Sequence, residues 1–129
     1  MQWEDSAGGG FTGASQPWLP LGDVARCNVA AQRADPSSVL SLCRDVIALR
    51  RRSADLRRGA YVELPAPDGV WAWRRGDGTS VAVNLGDGDR VLDGWHGSVA
   101  IATDRARDDE RLTGMLRLGP SEAVVVTGG

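Results

Sequence analysis

Residues 1–34 cannot become a long helix or a long strand, yet they carry side chains that need burying. Gly8, Gly9, Gly10, Gly13, Pro17 and Pro20 punctuate the stretch too closely for either element. Trp3, Phe11, Trp18 and Leu19 lie among them. An unstructured loop of this length is uncommon inside a compact domain. It makes physical sense when it drapes over a larger body, with those four side chains as anchors.

The pattern then changes twice. Residues 35–58 read as helical. Asp35 suits the N-cap, where a carboxylate accepts bonds from free backbone N–H groups, and Pro36 suits the first helical position, where no N–H is needed. Val39, Leu42, Cys43, Val46, Ile47 and Leu49 form an apolar stripe at helical spacing. Arg44 and Arg50-Arg51-Arg52 put positive charge in the C-terminal half, which complements the helix dipole. Ser53-Ala54-Asp55 is expected to end this helix, and residues 56–59 to close the segment with a turn. Residues 60–129 read as short strands between turns. Expected strands are 61–64, 70–74, 80–85, 90–92, 98–103, 112–118 and 122–127, with Gly76-Asp77-Gly78 marking a hairpin. Six or seven strands at this spacing predict an antiparallel sandwich.

A chain of 129 residues supports one domain with a modest core. A net charge of −2 excludes a nucleic-acid footprint. All fifteen basic residues are arginines, scattered and not set in a patch, which reads as coding bias in a GC-rich genome. No apolar run approaches the roughly 20 residues of a membrane span. The polar, glycine-rich N-terminus has no signal-peptide pattern. Cys27 and Cys43 make no Cys-x-x-Cys pair, and one histidine cannot complete a zinc site with them. They read as reduced structural thiols, with a disulfide between them as the alternative. The expected location is cytoplasmic, with no cofactor and no metal.

Candidate chemistry is sparse. Glu4 and Asp5 are neighbours in a loop, so nothing fixes their separation. Asp108-Asp109-Glu110 reads as a solvated turn. His96 is of a residue type that serves as a general base, but no motif puts a nucleophile beside it, and it reads as a histidine of a sandwich turn. Asn84 reads as a strand-end polar group. Gly76-Asp77-Gly78 and Gly86-Asp87-Gly88 lack the spacing of a calcium loop and read as hairpin turns. Trp71 and Trp73 alternate with Ala72, so both point to one face of a strand. They either stack on sugar rings, or fill the sandwich core or its contact with a barrel.

Met1-Gln2-Trp3, Gly10-Phe11-Thr12 and Pro17-Trp18-Leu19-Pro20 together resemble the loop after the eighth barrel strand in the α-glucosidase branch of the α-amylase superfamily, glycoside hydrolase family thirteen. Ser38-Val39-Leu40 with Ile47-Ala48-Leu49-Arg50-Arg51 is similar to the family's last barrel helix. Leu56, Gly59 and Tyr61, then Val81-Ala82-Val83-Asn84-Leu85 and Pro120-Ser121-Glu122-Ala123, are similar to its C-terminal domain. Glu4 stands where the family usually has Asp, and the arginine and proline that commonly precede Met-Gln-Trp are missing.

The resemblance implies a mostly β fold: an antiparallel β-sandwich C-terminal domain preceded by a long loop and the last helix of a missing TIM barrel. Residues 1–58 would be the barrel remnant and 59–129 the sandwich. A retaining glycosidase needs two carboxyl groups roughly 5–5.5 Å apart across the scissile bond. In this family they hang from earlier barrel strands, so the resemblance implies no catalytic residue here. Gln2 and Trp3 alone are put near a substrate cleft, because loops after barrel strands build the active face. The implied role is the non-catalytic C-terminal part of a retaining α-glucosidase-type hydrolase in carbohydrate metabolism, inactive alone. Its implied partners are the missing N-terminal barrel, on the same or a separate chain, and α-glucosidic sugars, without nucleic acid or membrane. The alternative is a stand-alone carbohydrate-binding or barrel-docking module.

A helix stripe made to face a barrel leaves apolar surface uncovered in the chain alone, at about 1.5–3 kcal/mol for each large side chain. The isolated chain is therefore expected to self-associate and to be mobile over residues 1–34. Sedimentation with limited proteolysis checks this. A concentrated monomer with a protease-resistant opening loop is the contrary result.

Overall fold

The computed structural model describes residues 2–13 and 17–129. Its elements are α1 (Val29–Ala34), α2 (Val39–Arg52), α3 (Ala54–Arg58), β1 (Tyr61–Glu63), β2 (Val70–Arg75), β3 (Thr79–Asn84), β4 (Arg90–Ala102), a 3-10 turn (Arg105–Arg107), β5 (Arg111–Leu118) and β6 (Ala123–Thr127). Two compact units divide the chain, Met1–Arg44 and Asp45–Gly129, with the boundary inside α2.

In the first unit the opening loop is tied to α1. The Val29 and Ala30 N–H groups donate to the carbonyls of Gln2 (3.0 Å) and Trp3 (2.9 Å). α1 itself was not foreseen. Asn28 makes it possible: the side chain is buried, its Oδ1 accepts from Ala31 N at 2.8 Å, and its Nδ2 donates to the Val24 carbonyl at 2.8 Å.

The helix expected to start at Asp35 starts instead at Val39 and ends at Arg52, beside the end expected for it at 53–55; the turn expected after it is corrected to a second short helix, α3. Ser38, not Asp35, serves the first turn of α2: its Oγ accepts from Ser41 N at 3.2 Å. Asp35 instead accepts from the N–H and hydroxyl of Ser37 at 2.8 and 2.6 Å, bonds that hold its carboxyl below the usual range. Ser53 follows the end of α2 and also opens α3. Its Oγ accepts from Leu56 N at 3.2 Å and caps α3.

In the second unit the strands form one antiparallel sheet in the order β1-β2-β3-β6-β4-β5. The strands expected at 90–92 and 98–103 are one, β4. Its first part pairs with β5 from Arg90 to Ser98, and its last part pairs with β6 from Ser98 to Ala102. Irregularities at Asp93/Trp95 and Val99/Ile101 bend the ladder without ending it. That bend lets the sheet fold over. Ala72 of β2 and Leu112, Leu116 and Leu118 of β5 share one buried cluster with Leu92, Trp95, Val99, Val124 and Val126, although three strands separate β2 from β5 in the sheet order. The two layers of the expected sandwich are thus parts of one continuous sheet.

Helix and sheet are joined in this unit at two points. Arg105 bridges Asp45 of α2 at 2.9 Å. Asp55 of α3 receives the Gly78 N–H at 3.1 Å and the Thr79 hydroxyl at 3.2 Å, so its carboxylate closes the β2–β3 turn from outside. The approach is close enough to require glycine. A Cβ on Gly76, whose φ is +61°, would lie 2.3 Å from Asp55 Oδ1, and one on Gly59 would lie 2.4 Å from Gly76 N. Replacing Asp55 by Ala leaves the Gly78 donor and a buried hydroxyl unpaired. The expected loss is about 1–3 kcal/mol, read as a lower urea midpoint with unchanged slope. An unaltered midpoint would show that this carboxylate is not a tie.

Candidate functional site

The two residues expected near a substrate, Gln2 and Trp3, have different surroundings. With the Gln2 amide oriented to satisfy both of its ends, its nitrogen donates to the Cys27 carbonyl at 2.9 Å and its oxygen accepts from Gly22 N at 2.8 Å. The side chain is therefore occupied in joining two parts of the loop. Trp3 is held by its backbone, its N–H donating to the Gly9 carbonyl at 2.6 Å, while the indole is 47% exposed. It borders a groove of ≈ 420 Å³ with Val29, Arg33, Leu40 and Arg44. A second groove of ≈ 510 Å³ runs over Gln2, Phe11, Trp18, Leu19 and Leu21. Trp18 is almost fully exposed there.

The remaining candidates sort by their contacts. Glu4 and Asp5 are both exposed in the loop. His96 is exposed on β4. Among the described residues no group of three or more His, Cys, Asp or Glu side chains is arranged to hold a metal. Cys27 and Cys43 are free thiols. Asn84 is fully buried, with its amide fully used: Nδ2 donates to the carbonyls of Gly88 (2.9 Å) and Gly119 (2.7 Å), and Oδ1 accepts from Gly86 N (3.0 Å). It is the strand-end polar group expected of it.

The solvated reading of Asp108-Asp109-Glu110 is corrected for Asp108 and Glu110, while Asp109 is exposed. Asp108 accepts from Arg105 Nε at 2.9 Å and from the Ala102 N–H at 2.9 Å. Glu110 accepts from Arg107 Nε at 2.6 Å. Arg107 also donates to Glu122 at 2.6 Å and to the Arg117 carbonyl at 2.7 Å. Asp108, then Asp45, holds the Arg105 guanidinium above its ordinary range, and Glu110, with Glu122 behind it, does the same for Arg107. The pairs with Arg105 and Arg107 lie three residues apart in sequence, while Asp45 and Glu122, which hold the same arginines, come from other elements.

Trp71 and Trp73 are not in the sandwich core. They lie on the face of β2 opposite Ala72, which is buried in it. Their ring centroids are 4.6 Å apart with planes tilted by 41°. The Trp71 indole N–H donates to the Tyr61 hydroxyl at 3.2 Å, a partner that sequence reasoning missed. Antiparallel pairing of β1 with β2 is the signal that could have found it, since it brings Tyr61 opposite Arg75 on the tryptophan face.

No family model matches the chain. Over 77 residues it is 43% identical to the trehalose-6-phosphate hydrolase of Escherichia coli (strain K12), a match covering 58% of this chain and 14% of that protein. Over 98 residues it is 37% identical to the amino acid transporter heavy chain SLC3A1 of Rattus norvegicus, covering 71% of this chain and again 14% of the relative. The solved trehalulose synthase MutB from Pseudomonas mesoacidophila MX-45 superposes on 98% of the chain with a TM-score of 0.83 and 26% identity, using 24% of its own chain. The chain thus spans about a seventh of the curated relatives' length and a quarter of the solved one's.

The Gln2 bridge makes a local prediction. Gln2→Ala frees the Gly22 N–H, and its hydrogen exchange should quicken about fivefold, the equivalent of roughly 1 kcal/mol. Exchange unchanged at Gly22 would mean that the loop holds its shape without the amide.

Proposed function

The chain is homologous to the C-terminal part of α-glucosidase-type enzymes of the α-amylase superfamily, glycoside hydrolase family thirteen, and from that premise we propose that it is the non-catalytic C-terminal part of a hydrolase of α-glucosidic oligosaccharides. One observation carries this reading. On α2 the apolar residues Val39, Val46 and Ile47 are exposed, while Leu49 is buried. A surface helix normally turns its apolar stripe inward. Here the stripe asks for a partner surface, and the barrel of the parent enzyme supplies one.

On this proposal residues 1–58 complete the barrel, as the loop after its eighth strand and its last helix, and residues 59–129 buttress it. The half-exposed Trp3 indole is then the group offered to a sugar at the rim of the cleft. Gln2 stands behind it and keeps the loop in shape. The carboxylates that break the glycosidic bond come from the barrel, which is either the same polypeptide or a separate chain. No helix among the described residues is long and apolar enough to cross a membrane.

The test uses a related glucosidase barrel stripped of its own corresponding region. The chain alone should leave maltose, isomaltose and trehalose 6-phosphate intact. The stripped barrel should be insoluble or inactive, and fusion to this chain should recover soluble, active enzyme. Hydrolysis by the chain alone would overturn the non-catalytic role. Full activity of the stripped barrel would overturn the supporting one.

A further inference from the structure

The chain holds four Asp–Gly pairs, at 68–69, 77–78, 87–88 and 93–94. Glycine has no side chain to shield its peptide nitrogen, so in such a pair that nitrogen can reach the carboxyl carbon of the aspartate before it. Reaction needs local freedom, because an extended or hydrogen-bonded backbone keeps the two atoms apart. Three of the pairs are held. The Gly78 N–H donates to Asp55 Oδ2 at 3.1 Å. Asp68–Gly69 sits in a turn closed by the Val70 N–H on the Pro67 carbonyl at 3.0 Å. Arg90 Nε donates to the Asp68 carbonyl at 3.1 Å, and the Leu85 N–H to that of Gly69 at 2.8 Å. Asp93–Gly94 lies inside β4, whose pairing with β5 continues on both sides of it. Asp87–Gly88 differs. Both residues are exposed, in the loop between β3 and β4. Neither the Asp87 carboxylate nor the Gly88 N–H has a hydrogen-bond partner among the described residues. What holds the pair is the Gly88 carbonyl, which accepts from Asn84 Nδ2 at 2.9 Å.

We infer that Asp87–Gly88 is a site of spontaneous covalent modification, where this chain isomerises to isoaspartate. The Gly88 nitrogen attacks Asp87 Cγ. A new C–N bond forms, and the amide proton leaves with the carboxyl hydroxyl as water, giving a five-membered succinimide. Water then adds to one of its two carbonyls. Opening at Cγ restores aspartate. Opening at the α-carbonyl breaks the original peptide bond and leaves the chain running through the side-chain carbonyl. One water is lost and one is gained, and nothing is oxidised or reduced. The backbone is lengthened by one carbon between residues 87 and 88. That change falls beside Asn84, which is fully buried and joins Gly86, Gly88 and Gly119. The longer loop draws the Gly88 carbonyl off the amide, and a buried donor without its acceptor weakens the tie between this turn and the one before β6. The modified chain is therefore the less stable form. Its new free α-carboxylate suits a methyltransferase that recognises isoaspartyl residues.

Ageing the full chain at body temperature in mildly acidic buffer, with and without urea, tests the site. Trypsin divides the four pairs among peptides 59–74, 76–90 and 91–105. Electron-transfer fragmentation splits isoaspartate at its Cα–Cβ bond and so separates position 77 from 87. In the folded chain isoaspartate should gather at 87 about tenfold faster than at 68, 77 or 93, and in urea the four rates should draw together. Asp87→Glu should abolish the product at 87, because a six-membered ring closes far more slowly. Gly88→Ala should slow it severalfold. Gly88 can take the methyl group, since its φ is not left-handed and a Cβ there would lie 3.3 Å from the flexible end of Arg90. The aged fraction modified at 87, separated by ion exchange, should unfold at a lower urea midpoint, with its folded-to-unfolded ratio reduced about tenfold. The inference is overturned if another pair reacts first in the folded chain, if the order of the four is the same in urea, or if Asp87→Glu ages as the wild type does. A modified fraction as stable as the fresh chain would overturn the link through Asn84. None of these readings involves a sugar or a barrel, so they stand or fall apart from the proposed function.

Discussion

The carboxylate of Asp55 decides how the second unit is put together. Five residues of helix cannot hold themselves, because helix nucleation is unfavourable and so short a segment adds few bonds after it. α3 persists where its ends are capped and its first turn is fastened to something else. Ser53 provides the cap, and Asp55 fastens the turn to Gly78 and Thr79. The same contact closes the β2–β3 hairpin and sets where β1 enters the sheet, since the Gly76 N–H donates to the Ala60 carbonyl at 3.0 Å. The surface that carries Tyr61, Trp71 and Trp73 depends on that entry.

Asn84, Arg107 and Glu122 do corresponding work where β3, β5 and β6 meet their turns. Asn84 joins the carbonyls of Gly88 and Gly119, and Glu122 receives both Arg107 and the Gly119 N–H, the latter at 2.6 Å. Buried polar groups of this kind are costly unless every partner is present, so these turns have little freedom to rearrange. The aliphatic cluster between the layers supplies bulk stabilisation, and the polar ties specify which turn meets which strand.

Much of this was legible in the sequence. Alternation and turn chemistry located the strands to within a residue or two, because each apolar run is short and bounded by Gly, Asp or Pro. The opening loop pointed to the family through residues that have no periodic explanation. What the sequence withheld was non-local. β4 looked like two strands because bulges at 93–95 and 99–101 mimic an interruption. Asp35 and Ser38 are both good caps, and only the helix that forms decides between them. At 108–110 the pairs with Arg105 and Arg107 are local, but the ties of those arginines to Asp45 and Glu122, which hold the turn against other elements, are distant in sequence. For the candidate site, the pairing of Trp71 with Trp73 could be read from their spacing. The Tyr61 bond could not, since it requires the strand register. Gln2 was recognisable as part of a motif, but not as a brace between Gly22 and Cys27.

The tight meeting of Gly59, Gly76 and Asp55 bears on how this region could be moved between proteins. A graft cut between the last helix and the first strand looks natural, since it separates helical from extended chain. It would leave Asp55 on one side and its hairpin on the other, and the transplanted sheet would carry an open turn. A seam at or before Ser53 keeps cap, carboxylate and both glycines on one piece.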